Sequence, residues 1–525
     1  EMQEIQIQAE GPPVKFLLGL ALLVVAPVSL VVATAGSHTY FYYAVYIEDQ
    51  PYMETACTYS FYIGKIAAVV CFGILSDILG RKRILMATIA AATVYVPLFL
   101  GLGWAFSALR ESMGSTVMLL AAPMYLFLGL LDPTYSIALA SALDVSSRHS
   151  QLLSILLVTT LGLGVSSHTL YDLLSVFLDI TLGSSPGFFI PVAVAAFFAL
   201  GAALVFAWKL IPETLNAPVP LLASEVEVET FGGTLQEEDD PFSGAGRVKG
   251  SAREWAVAVA ENLCHSYVWT ALAAVCLIAA VSLLRINDLA FADAFNTLGE
   301  NYDVHVLQYL SSLVNVVLQL ILLAALLYAA LRRPEHVIRF GYYRVVLVCS
   351  ILLLLACIYS ILASMLLLLA DWLFWPERIL NVGLQAVLFL ARYVALCFLA
   401  LLVANCGYRN EGGLFVGLYS AALLGSYMPL YVLYGVIYNA AWDSLWIYPF
   451  VFMLCGAMGI GLVLLVFLAY RNGLGMDVPK ASAGQEWGEP HKLSMLWWAA
   501  AAAWLLLNLC AWFAIWMVAA FSSPS

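Results

Sequence analysis

Thirteen apolar stretches succeed one another along this chain, and each is about 20 to 28 residues long, enough to cross a hydrocarbon layer as a helix. They run 16–40, 56–79, 84–104, 115–142, 151–176, 188–211, 263–284, 305–331, 343–370, 379–405, 413–438, 446–470 and 493–520. Inside hydrocarbon, only helices and closed barrels satisfy every backbone N–H and C=O. The short alternating segments of a barrel are absent. The 525-residue chain is 63% hydrophobic and 11% charged, far more apolar than a soluble core requires. The sequence therefore predicts an all-α polytopic membrane protein.

The spans fall into two groups of six and one extra. Residues 1–212 form an N-terminal six-helix bundle and 213–260 a cytoplasmic linker. Residues 261–471 form a C-terminal six-helix bundle, and 472–525 a connector and thirteenth helix. The linker carries Glu225, Glu227, Glu229 and Glu237-Glu238-Asp239-Asp240, then Arg247, Lys249 and Arg253. Mixed charge without apolar periodicity reads as a flexible connection. With the N-terminus inside, only Arg110, Arg285 and Arg378 of the 22 Lys and Arg fall outside; Lys65 and Arg392 lie deep within spans, and Lys209 and Arg344, at span ends, count with the inside loops. That asymmetry fixes a cytoplasmic N-terminal side. The net charge of −12 argues against nucleic acid. The ten cysteines are scattered with no C-x-x-C pair, so neither a metal site nor a disulfide framework is expected. No cleavable signal peptide is expected either, because the first apolar run is too long. No P-loop and no paired nucleophile and base is found, so an enzyme and a cofactor are not expected.

Between the second and third spans lies Gly73-Ile-Leu-Ser-Asp77-Ile-Leu-Gly80-Arg81-Lys82-Arg83. Three cations crowd a very short turn. Gly73 and Gly80 permit close approach and a tight turn. Asp77 sits at the membrane face, where a carboxylate needs a cation or a helix N-terminus. This pattern, G-x-L-x-D-x-x-G-R-[KR], resembles the signature loop between helices 2 and 3 of the major facilitator superfamily of transporters. The six-plus-six arrangement resembles that fold too. Pro212-Glu213-Thr214 is similar to the P-E-[ST] motif closing the sixth helix, and Asp144 with Arg148 to the charged loop after the fourth.

The resemblance implies two six-helix bundles rocking about a central site. It further implies an inner ion-pair gate, with Gly73, Asp77, Gly80, Arg81, Lys82, Asp144, Arg148 and Glu213 as candidates. Plain topology and helix-end capping are the alternative for these groups. The specific motifs lie in the first half. The second-half loop, Leu331-Arg332-Arg333-Pro334-Glu335-His336, has neither the glycines nor the aspartate. Span 4 lacks the arginine of many proton-linked members. Span 5 holds Gly162 and Gly164 without the antiporter motif G-P-x-x-G-G, and the sugar-porter patterns are missing.

Ionisable groups within spans are costly and are functional candidates by default. Lys65 lies in span 2, Asp132 in span 4 and Arg392 in span 10. By the resemblance, helices 1, 4, 7 and 10 line the central cavity. Arg392, with or without Lys65, could bind a carboxylate or phosphate of a solute, since a guanidinium gives two-point recognition. Alternatively, Arg392 pairs with Asp132 as a bridge between halves. Further candidates for solute contact are His38, His168, His265, Tyr267, Asn315, Gln319 and Tyr427. The sequence thus points to a secondary transporter of a small polar solute, anionic or zwitterionic, by uniport or ion-coupled transport. The alternative is a transporter-like protein without transport activity, serving as subunit or receptor in a membrane complex. The Trp-rich helix Leu493–Phe521 is the candidate contact with a membrane-protein partner; the remaining partners are the solute and the lipid bilayer.

Overall fold

A computed structural model describes residues 14–36, 51–108, 115–146, 151–162, 189–214, 342–369, 374–404, 412–441 and 447–471, most of 259–281, and isolated residues of 313–328 and 501–506. The described residues are helical, with no strand among them. In chain order the helices are α1 (Val14–Gly36), α2 (Pro51–Leu79), α3 (Arg81–Ala108), α4 (Ser115–Leu130), α5 (Thr134–Asp144), α6 (Gln151–Gly162), α7 (Phe189–Leu210), α8 (Ser266–Val281), α9 (Tyr342–Leu369), α10 (Phe374–Ala404), α11 (Gly412–Ala441) and α12 (Ile447–Arg471). Eight spans among the described residues are long and apolar enough to cross a membrane. Spans 8 and 13 lie almost wholly outside the described residues.

Two local features depart from the sequence expectation. The first is the turn between spans 2 and 3, which is a single residue. Gly80 takes φ +103°, a left-handed conformation that other residues adopt only at a cost. Arg81, Lys82 and Arg83 therefore form the first turn of α3 rather than a loop. The second is span 4, which is not continuous. It breaks at Leu131–Pro133 and restarts as α5, with Pro133 at the N-cap. Proline has no N–H to continue the ladder and clashes with the preceding turn. The amides of Leu131 and Asp132 instead close tight turns onto Leu128 and Gly129.

Helix α2 packs on α4 within the first half and on α11 of the second. α3 packs on α7, α9 on α10 and α12, and α8 between α11 and α12. The sides turned away from these contacts are apolar: Val94, Leu98, Phe197, Phe198, Leu355, Leu362, Leu366 and Phe450 are all exposed. Bare hydrocarbon surface of this kind suits lipid as its solvent. The buried face holds the polar groups instead, including Ser76, Asp77, Arg81, Asp132, Ser136 and Ser420.

Candidate functional site

At the end of the bundle where α2 passes into α3, one residue of α3 joins α2, α5 and the segment after α7. Arg81 is fully buried. Its Nη1 donates to the Asp77 carboxylate and, at 2.7 Å, to Ser76 Oγ. Its Nε donates to Asp144 Oδ2 at 2.9 Å, which brings in the end of α5. Its backbone N–H donates to Glu213 Oε1 at 2.9 Å, just beyond α7. Glu213 thereby satisfies an otherwise orphaned amide at the start of α3 and places negative charge at that helix N-terminus. Thr214 Oγ1 donates to Asp144 at 3.2 Å.

Asp77 carries this network across to the second half. Its two carboxylate oxygens accept the amides of Gly413 at 3.0 Å and Leu414 at 2.8 Å, in the first turn of α11. A buried carboxylate is thus neutralised by a guanidinium on one side and a helix N-terminus on the other. The approach depends on missing side chains. A Cβ on Gly413 would run into Arg81 Nη1, and would lie 2.5 Å from Ser76 Oγ and 2.6 Å from the carbonyl oxygen of Gly73. Gly73 and Gly413 therefore let the backbones of α2 and α11 meet directly.

A second set of polar contacts joins the halves deeper in the bundle. Ser136 Oγ on α5 donates to Ser420 Oγ on α11 at 2.9 Å. The Tyr393 hydroxyl on α10 is bonded to Thr160 on α6, and donates to the carbonyl of Leu156 at 3.1 Å. Tyr135 and Thr159 share a hydrogen bond of 2.9 Å beside them. These uncharged contacts form a layer above the Arg81 network.

Deeper still lies an ion pair. Lys65 Nζ on α2 donates to Asp132 Oδ2, at the break between α4 and α5. Lys65 lies about 21 Å along α2 from Leu79, well inside a hydrocarbon layer about 30 Å thick. Its ammonium also sits 5.8 Å from the centre of the Phe61 ring, within cation–π range. The Thr134 hydroxyl, fully buried beside the break, has no hydrogen-bond partner among the described residues. Arg392 is half-buried on α10, near the phenol of Tyr419. The partner of Asp132 is thus Lys65 of its own half, not Arg392 across the centre.

Comparisons with known proteins fit this arrangement. No family model matches the sequence, and no curated protein matches it. Solved structures do. The human organic anion transporter MFSD10 (TETRAN) is 15% identical with a TM-score of 0.52, covering 87% of this chain and 100% of its own. A bacterial homologue of the iron transporter ferroportin, in an outward-facing state, is 10% identical with a TM-score of 0.54, covering 87% and 98%. The proton:xylose symporter XylE is 14% identical with a TM-score of 0.56, covering 87% and 96%. The chain has the major facilitator fold. It is an integral, multi-pass membrane protein.

Against the major facilitator pattern, the sequence candidates sort as follows. Asp77, Arg81, Asp144 and Glu213 come together in one network, with Gly73 and Gly80 at its close approaches. Lys82 stands apart and donates to the Trp208 carbonyl at 2.8 Å. Tyr267 and Tyr427 belong to α8 and α11, but their side chains lie outside the described residues. His38, Arg148, His168, His265, Asn315 and Gln319 also lie outside them. The sequence analysis missed Ser76, Gly413 and Leu414, and the Ser136–Ser420 and Tyr393–Thr160 contacts. The only signal for the first group was the Gly412-Gly413 pair opening span 11.

Proposed function

We propose that the chain is a secondary transporter that moves a small polar anion by alternating access. The observation that carries this reading is the clamp of Asp77, on one six-helix half, onto the first turn of α11, on the other. Every bond in that clamp can break and reform as the halves rock, and none involves a covalent change. Together with Ser136–Ser420 and Tyr393–Thr160, it holds one end of the central path shut. By the charge asymmetry of the loops, that end faces the cytoplasm.

The charges deep in the bundle support an anionic solute. Among the described residues, Lys65 and Arg392 lie within spans here, and Lys65 meets the carboxylate of Asp132. Arg392 lies on a helix that lines the central cavity in this fold. Its guanidinium is the group to read a carboxylate or phosphate. The buried hydroxyl of Thr134 offers a further donor. The structural likeness to an organic anion transporter accords with this reading.

The test is uptake into proteoliposomes of a panel of organic anions, amino acids and sugars by wild type and Arg392→Ala. Uptake of an anion that the folded variant has lost establishes both transport and the charge-reading site. No uptake of any solute by well-folded wild type overturns the reading in favour of a non-transporting subunit.

A further inference from the structure

The basic signature that organises the loop divides its charges between two faces. Arg81 points inward and consumes the carboxylates of Asp77 and Asp144, while its amide consumes that of Glu213. Lys82 and Arg83 turn the other way. Lys82 reaches across to α7 and donates to the carbonyl of Trp208 at 2.8 Å. That bond sets the first turn of α3 against the last turn of α7, where Lys209 follows. Arg83, Trp208 and Lys209 are exposed, Trp208 by 60%. The described ion pairs include none of Lys82, Arg83 and Lys209. The result is a corner with three cations and an aromatic ring, beside which the Glu213 carboxylate is held by the Arg81 amide.

The corner also sits at a fixed depth. Helix α7 is apolar up to it, with Val205 and Phe206 exposed on its lipid side. Helix α3 becomes apolar immediately after Arg83. The cations therefore stand where hydrocarbon gives way to headgroups, and an exposed Trp at that level is an interfacial anchor. We propose that this α3–α7 corner is a binding site for the headgroup of an anionic phospholipid. The phosphodiester lies between Lys82, Arg83 and Lys209, and Trp208 packs along the upper acyl chain. Ammonium and guanidinium donors suit phosphate oxygens. An acyl chain suits the apolar flank of α7 in a way that a soluble phosphate does not. The site lies outside the central path and is independent of which solute the protein carries.

Native mass spectrometry of the full chain in detergent, with phosphatidylglycerol and phosphatidylcholine added in equal amounts, tests this directly. Wild type should retain phosphatidylglycerol in at least fivefold preference. The variant Arg83→Gln/Lys209→Gln keeps the Lys82–Trp208 bond, and with it the local packing, and should lose most of that preference. Arg332→Gln/Arg333→Gln, which removes two cations from the second-half loop, should keep it. Equal retention of both lipids by wild type, or an unchanged preference in Arg83→Gln/Lys209→Gln, overturns the proposal. So does a preference that appears only when Glu237, Glu238, Asp239 and Asp240 are changed to amides. That outcome would assign the corner to the chain's own acidic segment.

Discussion

Leu414 stands 337 residues after Asp77 in the chain, yet its amide donates to the Asp77 carboxylate at 2.8 Å. One short side chain thus ties α2 to the start of α11 at one end of the bundle. Because the acceptor is a carboxylate and the donors open a helix, the contact is both a hydrogen bond and a charge–dipole interaction.

Changing Asp77 to Asn should loosen that end. Two charge-assisted bonds to α11 become neutral ones, and the Arg81–Asp77 ion pair is lost while Arg81–Asp144 remains. Each charge-assisted bond contributes about 1.5–3 kcal/mol. A Ser420→Cys reporter, at a position buried in this structure, should then react with a membrane-impermeant thiol reagent at least about tenfold faster, which corresponds to about 1.4 kcal/mol. Unchanged labelling would mean that the clamp does not hold this end closed.

Gly413→Ala should act in the same direction by size alone. The added methyl would meet Arg81 Nη1 first, then Ser76 Oγ at 2.5 Å and the Gly73 carbonyl at 2.6 Å. The Gly73 carbonyl is backbone within a packed helix and cannot retreat, and overpacking of this kind costs about 1–3 kcal/mol. The variant should label like Asp77→Asn while keeping every charge. Gly461→Ala, with nothing within 4 Å of the added Cβ, is the matched control and should behave as wild type.

Lys65 and Asp132 both lie in the first half, so the proposed rocking need not break their pair. Lys65→Met leaves a carboxylate without its ammonium well inside the membrane. Removing one member of a buried pair costs about 3–5 kcal/mol; because the Lys65 side chain is 23% exposed, the lower end is expected. Thermal unfolding in detergent should show the loss, and Lys65→Met/Asp132→Asn should recover most of it. A double variant no more stable than Lys65→Met would remove the case for mutual neutralisation.

Tyr393→Phe tests the uncharged layer. The ring stays, and only the hydroxyl that binds Thr160 and the Leu156 carbonyl is lost. The expected destabilisation is about 1 kcal/mol. Labelling of the Ser420→Cys reporter should rise, but less than with Asp77→Asn. A rise equal to that of Asp77→Asn would make the two layers a single cooperative unit.

The sequence carried the helical class and the Gly73–Arg83 motif because both are local. Periodic hydrophobicity needs only neighbouring residues, and the motif's spacing is written within a few turns. The partners of the motif were not local. Gly413 and Leu414 act through backbone amides, which leave no side-chain signature, and only the Gly412-Gly413 pair hinted at a close approach. Arg81 reads as a cytoplasmic anchor until the fold closes acids around it. The ion pair was ambiguous for a different reason. Lys65 and Arg392 offer the same charge to Asp132, and helix rotation decides between them. The break at Pro133 was visible as Asp132-Pro133-Thr134, but a proline within an apolar run does not say whether the helix bends or stops.

The separation of Asp77 and Leu414 also sets a schedule for biosynthesis. At about 5–20 residues per second, on the order of tens of seconds pass between the synthesis of one and the other. During that interval α2 and α3 can already be inserted and Arg81 can already bind Asp77, because those partners lie within one turn. The α11 amides do not yet exist. The first half must therefore persist in the membrane with its clamp unengaged, and Arg81 is the group that keeps the Asp77 carboxylate neutralised until the last spans arrive.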